Sequence, residues 1–159
     1  MSENKIVFTS IGDDTYGGDT NNNGASAISN WMKIYFKENS SGEFANSIIR
    51  YGGNDCTSSV ICSGTSSGAV YVNKASVKIS NLVVENMGKD AVHFDNSDAD
   101  ISGSEFRNNN GNAVYVYGGK GNITDSIFEN NKGIGVYVSN PIGRININAN
   151  NFTGNKAPI

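Results

Sequence analysis

Short segments in which apolar and polar residues alternate recur along the chain at a fixed spacing. The segment at 69–72 (AVYV) returns at 91–94, 113–116 and 135–138, 22 residues later each time. Two further apolar positions keep step, one held by Ile79, Ile101, Ile123 and Ile145 and the other by Val84, Phe106 and Phe128. Each repeat therefore holds three strand-like segments separated by Gly, Asn, Ser or Asp, which indicates a stacked repeat architecture.

The repeat predicts an all-β chain that forms a right-handed parallel β-helix, or solenoid, with about 22 residues and three strands per coil. Each strand would pair with its equivalent one coil later, about 4.8 Å away, so that equivalent side chains stack into ladders. Phe152 lies two residues late, which predicts an insertion near 141–143 and puts Ile147 in register with Ile123. An internal asparagine ladder is expected from Asn86, Asn108 and Asn130.

The regular repeats occupy only part of the chain. The segment 34–36 (IYF) matches the first strand of the repeat, and 46–53 matches 81–88. We expect a single domain with coils over 31–159, preceded by a strand and a Gly-, Asp- and Asn-rich loop at 1–30 that form a partial cap. The last residues resemble the start of another coil, so a fragment of a longer protein is expected. Open ends would expose unpaired backbone, which favours end-to-end self-association.

Composition supports this fold and excludes several classes of protein. The 159 residues include 25 Asn, 19 Gly and 19 Ser, and the 16 Ile and 12 Val contrast with a single Leu, Leu82. Because β-branched residues favour strands, a helix bundle or a coiled coil is excluded. No stretch approaches the ~18 apolar residues of a membrane span. A net charge of −3 without a basic stripe argues against nucleic acid as a partner.

The repeated unit is G/A-V-x-V/F, then Ile, then an aromatic residue followed by x-Asn-Asn-x-Gly, as at 113–133. It resembles the parallel β-helix repeats of the pectin-lyase-like superfamily and is most similar to repeat modules of bacterial and archaeal surface proteins. The resemblance covers about residues 31–159 and implies an extracellular or cell-surface location, although no signal peptide is present. Function stays open, because lyases, hydrolases, epimerases, adhesins and inert stalks share this fold.

The segment 19–24 (DTNNNG) fits the first half of a calcium loop, D-x-[DN]-x-[DN]-G. The predicted ligands are the side chains of Asp19, Asn21 and Asn23 and the backbone carbonyl of Ala25. A structural calcium ion there would brace the loop. The twelfth position holds Asn30 in place of the bidentate Glu, so a plain surface loop is the alternative.

Alternation along the first strand of each repeat turns aromatic rings outward, since Val70 and Val72 would point inward. Flat rings flanked by hydrogen-bonding groups suit a sugar chain. The predicted glycan-binding strip comprises Tyr71, His93, Asp95, Tyr115, Tyr117 and Tyr137. The alternative is a ladder that only stabilises its own sheet through contacts between neighbouring side chains.

His93 is the only histidine and shares a strand face with Asp95. A His–Asp pair beside tyrosines suits general acid–base catalysis, so a polysaccharide lyase-like enzyme acting near these two residues is the alternative function. The chain lacks the Gly-His-Gly of polygalacturonase-like enzymes, and only lysines in turns lie near the pair. We therefore favour a non-catalytic module of a microbial surface or secreted protein, which binds glycan or serves as a spacer.

The two cysteines, Cys56 and Cys62, are spaced C-x5-C. They predict either a disulfide across the intervening loop, which suits an exported protein, or a buried thiol at Cys62 with an exposed one at Cys56.

Overall fold

A computed structural model of the chain describes residues 5–26, 31–53 and 68–159. Both cysteines and Asn30 lie outside these ranges, so the alternatives for the cysteines remain predictions. Every regular element in the described ranges is a β-strand. The described residues contain no helix of the length and apolarity that crossing a membrane requires.

The strands form three parallel sheets, which the chain visits in the order B, C, A within each coil. Sheet A holds β1 (Ile6–Phe8), β4 (Ser47–Arg50), β7 (Val83–Glu85), β10 (Glu105–Arg107), β13 (Ile127–Glu129) and β16 (Asn151–Thr153). Sheet B holds β2 (Ile34–Phe36), β5 (Gly68–Asn73), β8 (Asp90–Asp95), β11 (Val114–Tyr117) and β14 (Val136–Ser139). Sheet C holds β3 (Ser41–Ala45), β6 (Ser76–Ser80), β9 (Ala99–Ser102), β12 (Gly121–Thr124) and β15 (Ile145–Asn148).

The register of the strands confirms the repeat. Val114 pairs with Val92 on one side and with Val136 on the other. In sheet C, Ile123 pairs with Ile147, so the two-residue insertion lies before that strand, as expected. The upstream matches hold as well, because Ile34–Phe36 pairs with Val70–Val72 and Ile48–Arg50 pairs with Val83–Glu85. The chain is therefore a parallel β-helix with three strands per coil.

The core consists of ladders of equivalent apolar side chains from all three sheets. The inward valines Val70, Val92, Val114 and Val136 are fully buried. Sheet A contributes a ring stack in which Phe106 and Phe128 lie 5.2 Å apart and Phe128 and Phe152 lie 4.7 Å apart, with nearly parallel planes. Such stacking keeps each of these large rings in contact with its equivalent one coil away.

The internal asparagine ladder exists, but it lies one residue later than predicted. Asn108 and Asn130 are exposed and Asn86 is half-buried, and all three adopt φ between 53° and 56° at the turn that follows sheet A. The ladder consists of Asn109 and Asn131, which are buried, and Asn155, which is half-buried. The first asparagine of the pairs 108–109 and 130–131 adopts the left-handed conformation, which Asn tolerates well. That turn directs the side chain of the second asparagine inward.

Candidate functional site

The outward rings of sheet B form one continuous stack. Ring centroids are 5.3 Å apart for Tyr35 and Tyr71, 5.2 Å for Tyr71 and His93, 4.4 Å for His93 and Tyr115, and 5.0 Å for Tyr115 and Tyr137. The predicted ladder is therefore present and extends to Tyr35. It follows from strand pairing, since these residues occupy equivalent positions in β2, β5, β8, β11 and β14.

The stack is not the open flat strip that the sequence suggested. Tyr71 is only 8% exposed and His93 only 4% exposed, and accessibility is highest at the ends, at Tyr35 and Tyr137. The ammonium group of Lys33 lies 5.0 Å from the ring centroid of Tyr71, which covers part of that ring. The ring faces also pack on one another, so a sugar ring cannot lie flat on the interior members. Tyr71 and His93 are therefore buried in the stack, and glycan binding along this strip remains a prediction.

Asp95 is held by groups of its own sheet and turn. The hydroxyl of Tyr71 donates a 2.7 Å hydrogen bond to Asp95 Oδ2, and the amide of Asn96 donates a 2.8 Å bond to Asp95 Oδ1. Burial, together with this bond and the carboxylate charge, raises the pKa of Tyr71 above its ordinary value. Tyr71 therefore stays protonated and fixes the carboxylate of Asp95.

His93 is uncharged at neutral pH. Burial is the main reason that its pKa falls to about 4; the positive charge of Lys33 adds to the effect, and the carboxylate of Asp95 opposes it. Its Nδ1 atom is buried and has no hydrogen-bond partner. Asp95 lies two residues away on the same strand and bonds Tyr71 and Asn96, so the described contacts contain no His–Asp hydrogen bond. Among the described residues, no hydrogen bond to Nδ1 orients the imidazole of His93.

Tyr117 differs from the other tyrosines of sheet B. It pairs with Asp95 on one side and Ser139 on the other, so no aromatic residue occupies the equivalent position in either neighbouring strand. Its side chain is 37% exposed, and its ring makes no aromatic contact within the described residues. Among the predicted aromatic binding residues, Tyr117 is the one whose ring does not pack against another ring of the sheet B stack.

The predicted calcium loop is folded by its own side chains. Asp19 accepts hydrogen bonds from the backbone N–H groups of Asn23 and Gly24, both at 2.9 Å. Asn21 Oδ1 accepts a 3.2 Å bond from the N–H of Asn23, and Asn23 Oδ1 accepts a 3.1 Å bond from that of Ala25. In the described ranges, no group of three or more His, Cys, Asp or Glu residues could hold a metal ion. A cation here would depend on one carboxylate plus amide and carbonyl oxygens, and calcium remains a prediction.

A charge network on the outer face of sheet A, buried at Asp13, Arg50 and Glu85, was not predicted from the sequence. Arg50 Nε lies 3.3 Å from both Asp13 Oδ2 and Glu85 Oε1. Arg107 in turn pairs with Glu85 at 2.7 Å and with Glu105 at 3.0 Å. The sequence did contain a signal for this network. The match of 46–53 to 81–88 places Arg50 beside Glu85, and Arg107, of opposite charge to Glu85, follows Glu85 by one repeat of 22 residues.

This network fastens the N-terminal loop to the coils. Asp13 is 1% exposed, and Arg50 lies over the rings of Tyr16 and Tyr51 at 5.4 and 4.8 Å. Burial acts to raise the pKa of Asp13, but hydrogen bonds from Thr9 and the backbone of Thr15, together with the charge of Arg50, outweigh it and lower that pKa. Every charged group in the network has a partner, which indicates a structural role.

The comparisons with known proteins agree with this architecture. A family model described as a right-handed β-helix region matches residues 67–159, which is more than half of the chain. Neither the curated proteins nor the solved structures gave a significant match. On the family match and the three parallel sheets, the chain belongs to the right-handed β-helix family.

Proposed function

We propose that this chain is a non-catalytic β-helix module that serves as a rigid spacer in a secreted or surface protein of a microbe. The observation that carries the proposal is the state of His93. The one histidine of the chain lies inside a ring stack, 4% exposed, with its pKa lowered to about 4. A catalytic base needs access to a substrate proton and a pKa near the working pH, and His93 has neither.

The ladders supply what a spacer requires. Aromatic rings stack along the outside of sheet B, and phenylalanines stack along the inside of sheet A. Each coil contacts only its neighbours, so stability comes from the sum of coil-to-coil interfaces, and length can be added without a new core. A rod of this kind holds other parts of a protein at a fixed separation.

A second candidate function is glycan binding at Tyr117. Its ring is accessible, and Asp95 and Ser139 lie beside it on the neighbouring strands. A sugar ring stacked on Tyr117 would find hydrogen-bonding groups on both sides. This differs from the strip expected from the sequence, because it depends on one ring that lies outside the stack.

The proposed function is tested with polysaccharide panels. Acidic and neutral polysaccharides are incubated with the protein in calcium and in chelator, and ultraviolet absorbance and reducing ends are followed. We expect no product on any substrate. Product that disappears in His93→Phe, with unchanged urea unfolding, would contradict the non-catalytic proposal and support the lyase-like alternative. Affinity electrophoresis of Tyr117→Ala against the same panel tests the second candidate.

A structural calcium ion at the Asp19 loop belongs to the same proposal. The loop carries the half-motif that calcium favours, and calcium bound there would add rigidity to a segment that already packs on sheet A through Asp13. Self-association through the ends of the helix is also proposed, since parallel sheets present unpaired strand edges there.

A further inference from the structure

Three phenylalanines form a layer across the end of the helix at which β1, β2 and β3 lie. Phe8, Phe36 and Phe44 each come from the outermost strand of a different sheet. The ring of Phe44 contacts the other two rings, with centroids 5.8 Å apart in both pairs. Their strand partners one coil later are core residues, Ile49, Val72 and Ile79. The three rings therefore occupy core positions in the last cross-section on this side.

This layer is open to solvent. Phe8 is 38% exposed and Ile6 on the same strand is 64% exposed, while Phe36 and Phe44 are half-buried. Farther along the helix, Phe106 occupies the position equivalent to Phe8 and is fully buried, because a coil lies on each side of it. Apolar side chains at core positions that water can reach favour contact with another surface.

The strands around this layer also present unpaired backbone groups. Each of β1, β2 and β3 has a neighbouring strand on one side only. The N–H of Ile6 donates to the carbonyl of Asn46 at 3.2 Å, so the N–H and C=O of Val7 face away from sheet A. Edge strands are commonly protected by Lys or Pro, and neither residue occurs within β1 (IVF) or β2 (IYF).

The opposite end of the helix is protected in part. Both prolines of the chain, Pro141 and Pro158, lie in its last coil and beyond. The N–H of Val136 donates to the carbonyl of Pro158 at 3.0 Å, and Ala157 forms a parallel bridge with Ile134. The edge of β14 is therefore already bonded, whereas β1 and β2 are bare. This difference favours contact between two like ends over contact between unlike ends.

The shape of the open end suits a twofold axis. The chain passes through β1 before β2 and β3, so β1 projects and β3 is set back along the spiral, within one strand spacing of about 4.8 Å. A twofold axis through sheet B, perpendicular to the helix, exchanges the positions of sheets A and C. The projecting β1 of each copy then faces the recessed β3 of the other, and β2 faces its own equivalent. A twofold contact closes as a dimer and does not continue into a filament.

We propose that two copies of this chain dimerise through the phenylalanine layer, with their edge strands paired antiparallel and Phe8 of each copy packed near Phe44 of the other. This inference rests on the proposed self-association through the helix ends and defines its mode. The end of one coil is a small surface, so the dimer belongs to the class of weak interfaces, with a Kd on the order of micromolar or above.

Sedimentation velocity from about 1 µM to about 1 mM protein measures the association, and ¹⁵N NMR spectra over the same range locate it. We expect a monomer–dimer equilibrium with shifts at 6–8, 34–36 and 41–45. Ile6→Lys should weaken the Kd at least about tenfold, because dimerisation would bury a charge. The matched control is Ile142→Lys, the same substitution at a residue 75% exposed before β15, which should leave the Kd unchanged.

Val7→Pro tests the strand pairing separately from the apolar contact. It removes an N–H that faces the open edge and leaves the bond from Ile6 to Asn46 in place, and edge strands tolerate proline. We expect the Kd to weaken about tenfold, as for lost backbone hydrogen bonds. Urea unfolding of dilute samples checks that each variant folds as a monomer.

Four results would overturn the inference: a monomer at every concentration, species larger than a dimer, shifts confined to 136–159, or an equal loss of affinity in Ile142→Lys. Larger species or shifts at 136–159 would refute the twofold mode but support self-association through the ends, whereas a monomer throughout would contradict both. The polysaccharide panels test the non-catalytic proposal independently of these outcomes.

Discussion

Asn131→Ala tests which asparagine of each turn stabilises the coils. The side-chain amide of Asn131 donates to the carbonyl of Phe106 at 2.9 Å and to Asn155 Oδ1 at 2.7 Å. Its Oδ1 accepts from the backbone N–H of Asn109 at 3.2 Å and from the Asn109 side chain at 2.8 Å. The residue is 1% exposed, so water does not replace these bonds without rearrangement.

The cost follows from the groups left behind. Alanine leaves the buried backbone N–H of Asn109 and one N–H of the buried Asn109 side-chain amide without partners, at about 1–3 kcal/mol each. We therefore expect Asn131→Ala to reduce the free energy of unfolding by about 4 kcal/mol. The neighbouring substitution Asn130→Ala removes only an exposed side chain at φ 53°, where alanine costs about 1 kcal/mol.

Urea unfolding followed by circular dichroism measures both variants at pH 7. Asn109→Ala and Asn108→Ala repeat the comparison one coil earlier, with Asn109 buried and Asn108 exposed. The reasoning is refuted if the exposed member of either pair costs as much as the buried one. That result would indicate that Asn86, Asn108 and Asn130 form the stabilising ladder, as the sequence predicted.

Four further outcomes are expected. Between pH 6.5 and pH 5, the histidine of the unfolded chain takes up a proton, whereas folded His93, with a pKa of about 4, does not. Over this range the free energy of unfolding of the protein should fall by about 2 kcal/mol more than that of the His93→Phe variant, as urea titrations can show. Asp13→Asn leaves Arg50 buried with one carboxylate fewer, so the free energy of unfolding measured in urea should fall by about 3 kcal/mol. Lys74→Ala, which breaks an exposed ion pair, should lower it by under about 0.5 kcal/mol. Tyr115→Ala removes a ring stacked on two neighbours and should reduce the free energy of unfolding by about 2 kcal/mol, whereas Tyr117→Ala should leave it unchanged. Equal losses of stability for the two variants in calorimetry would contradict the difference drawn between these tyrosines. Calcium should raise the Tm of the protein but not that of Asp19→Ala, and an identical shift in both would place any ion elsewhere.

Much of the architecture could be predicted because the repeat carries it. Val114 and Phe128 have chemically similar equivalents one coil away, so periodicity alone fixed their strand, their face and their register. The two-residue insertion before Ile147 was predictable for the same reason. The asparagine ladder was misplaced by one residue, because Asn130 and Asn131 both repeat and periodicity does not say which of two neighbours points inward. The left-handed φ of Asn130 decides that, and it is a property of the turn.

The site was harder to predict for physical reasons. Alternation along the strand predicts that the ring of His93 points away from the core. The burial of that ring depends on Tyr71 and Tyr115 from neighbouring coils and on Lys33 from outside the regular repeat. The pairing of Asp13 with Arg50 joins the irregular N-terminal loop to a coil, and no repeat relates the two.

The central claim is that the ring stack is structural and that His93 takes no part in chemistry. The NMR titration of its imidazole tests this most directly, because the single histidine gives one unambiguous set of resonances. The account predicts a pKa of about 4 that is unchanged by polysaccharides. A pKa between 6 and 7, or a shift when a polysaccharide is added, would show an accessible imidazole able to act as an acid or base and would contradict the account.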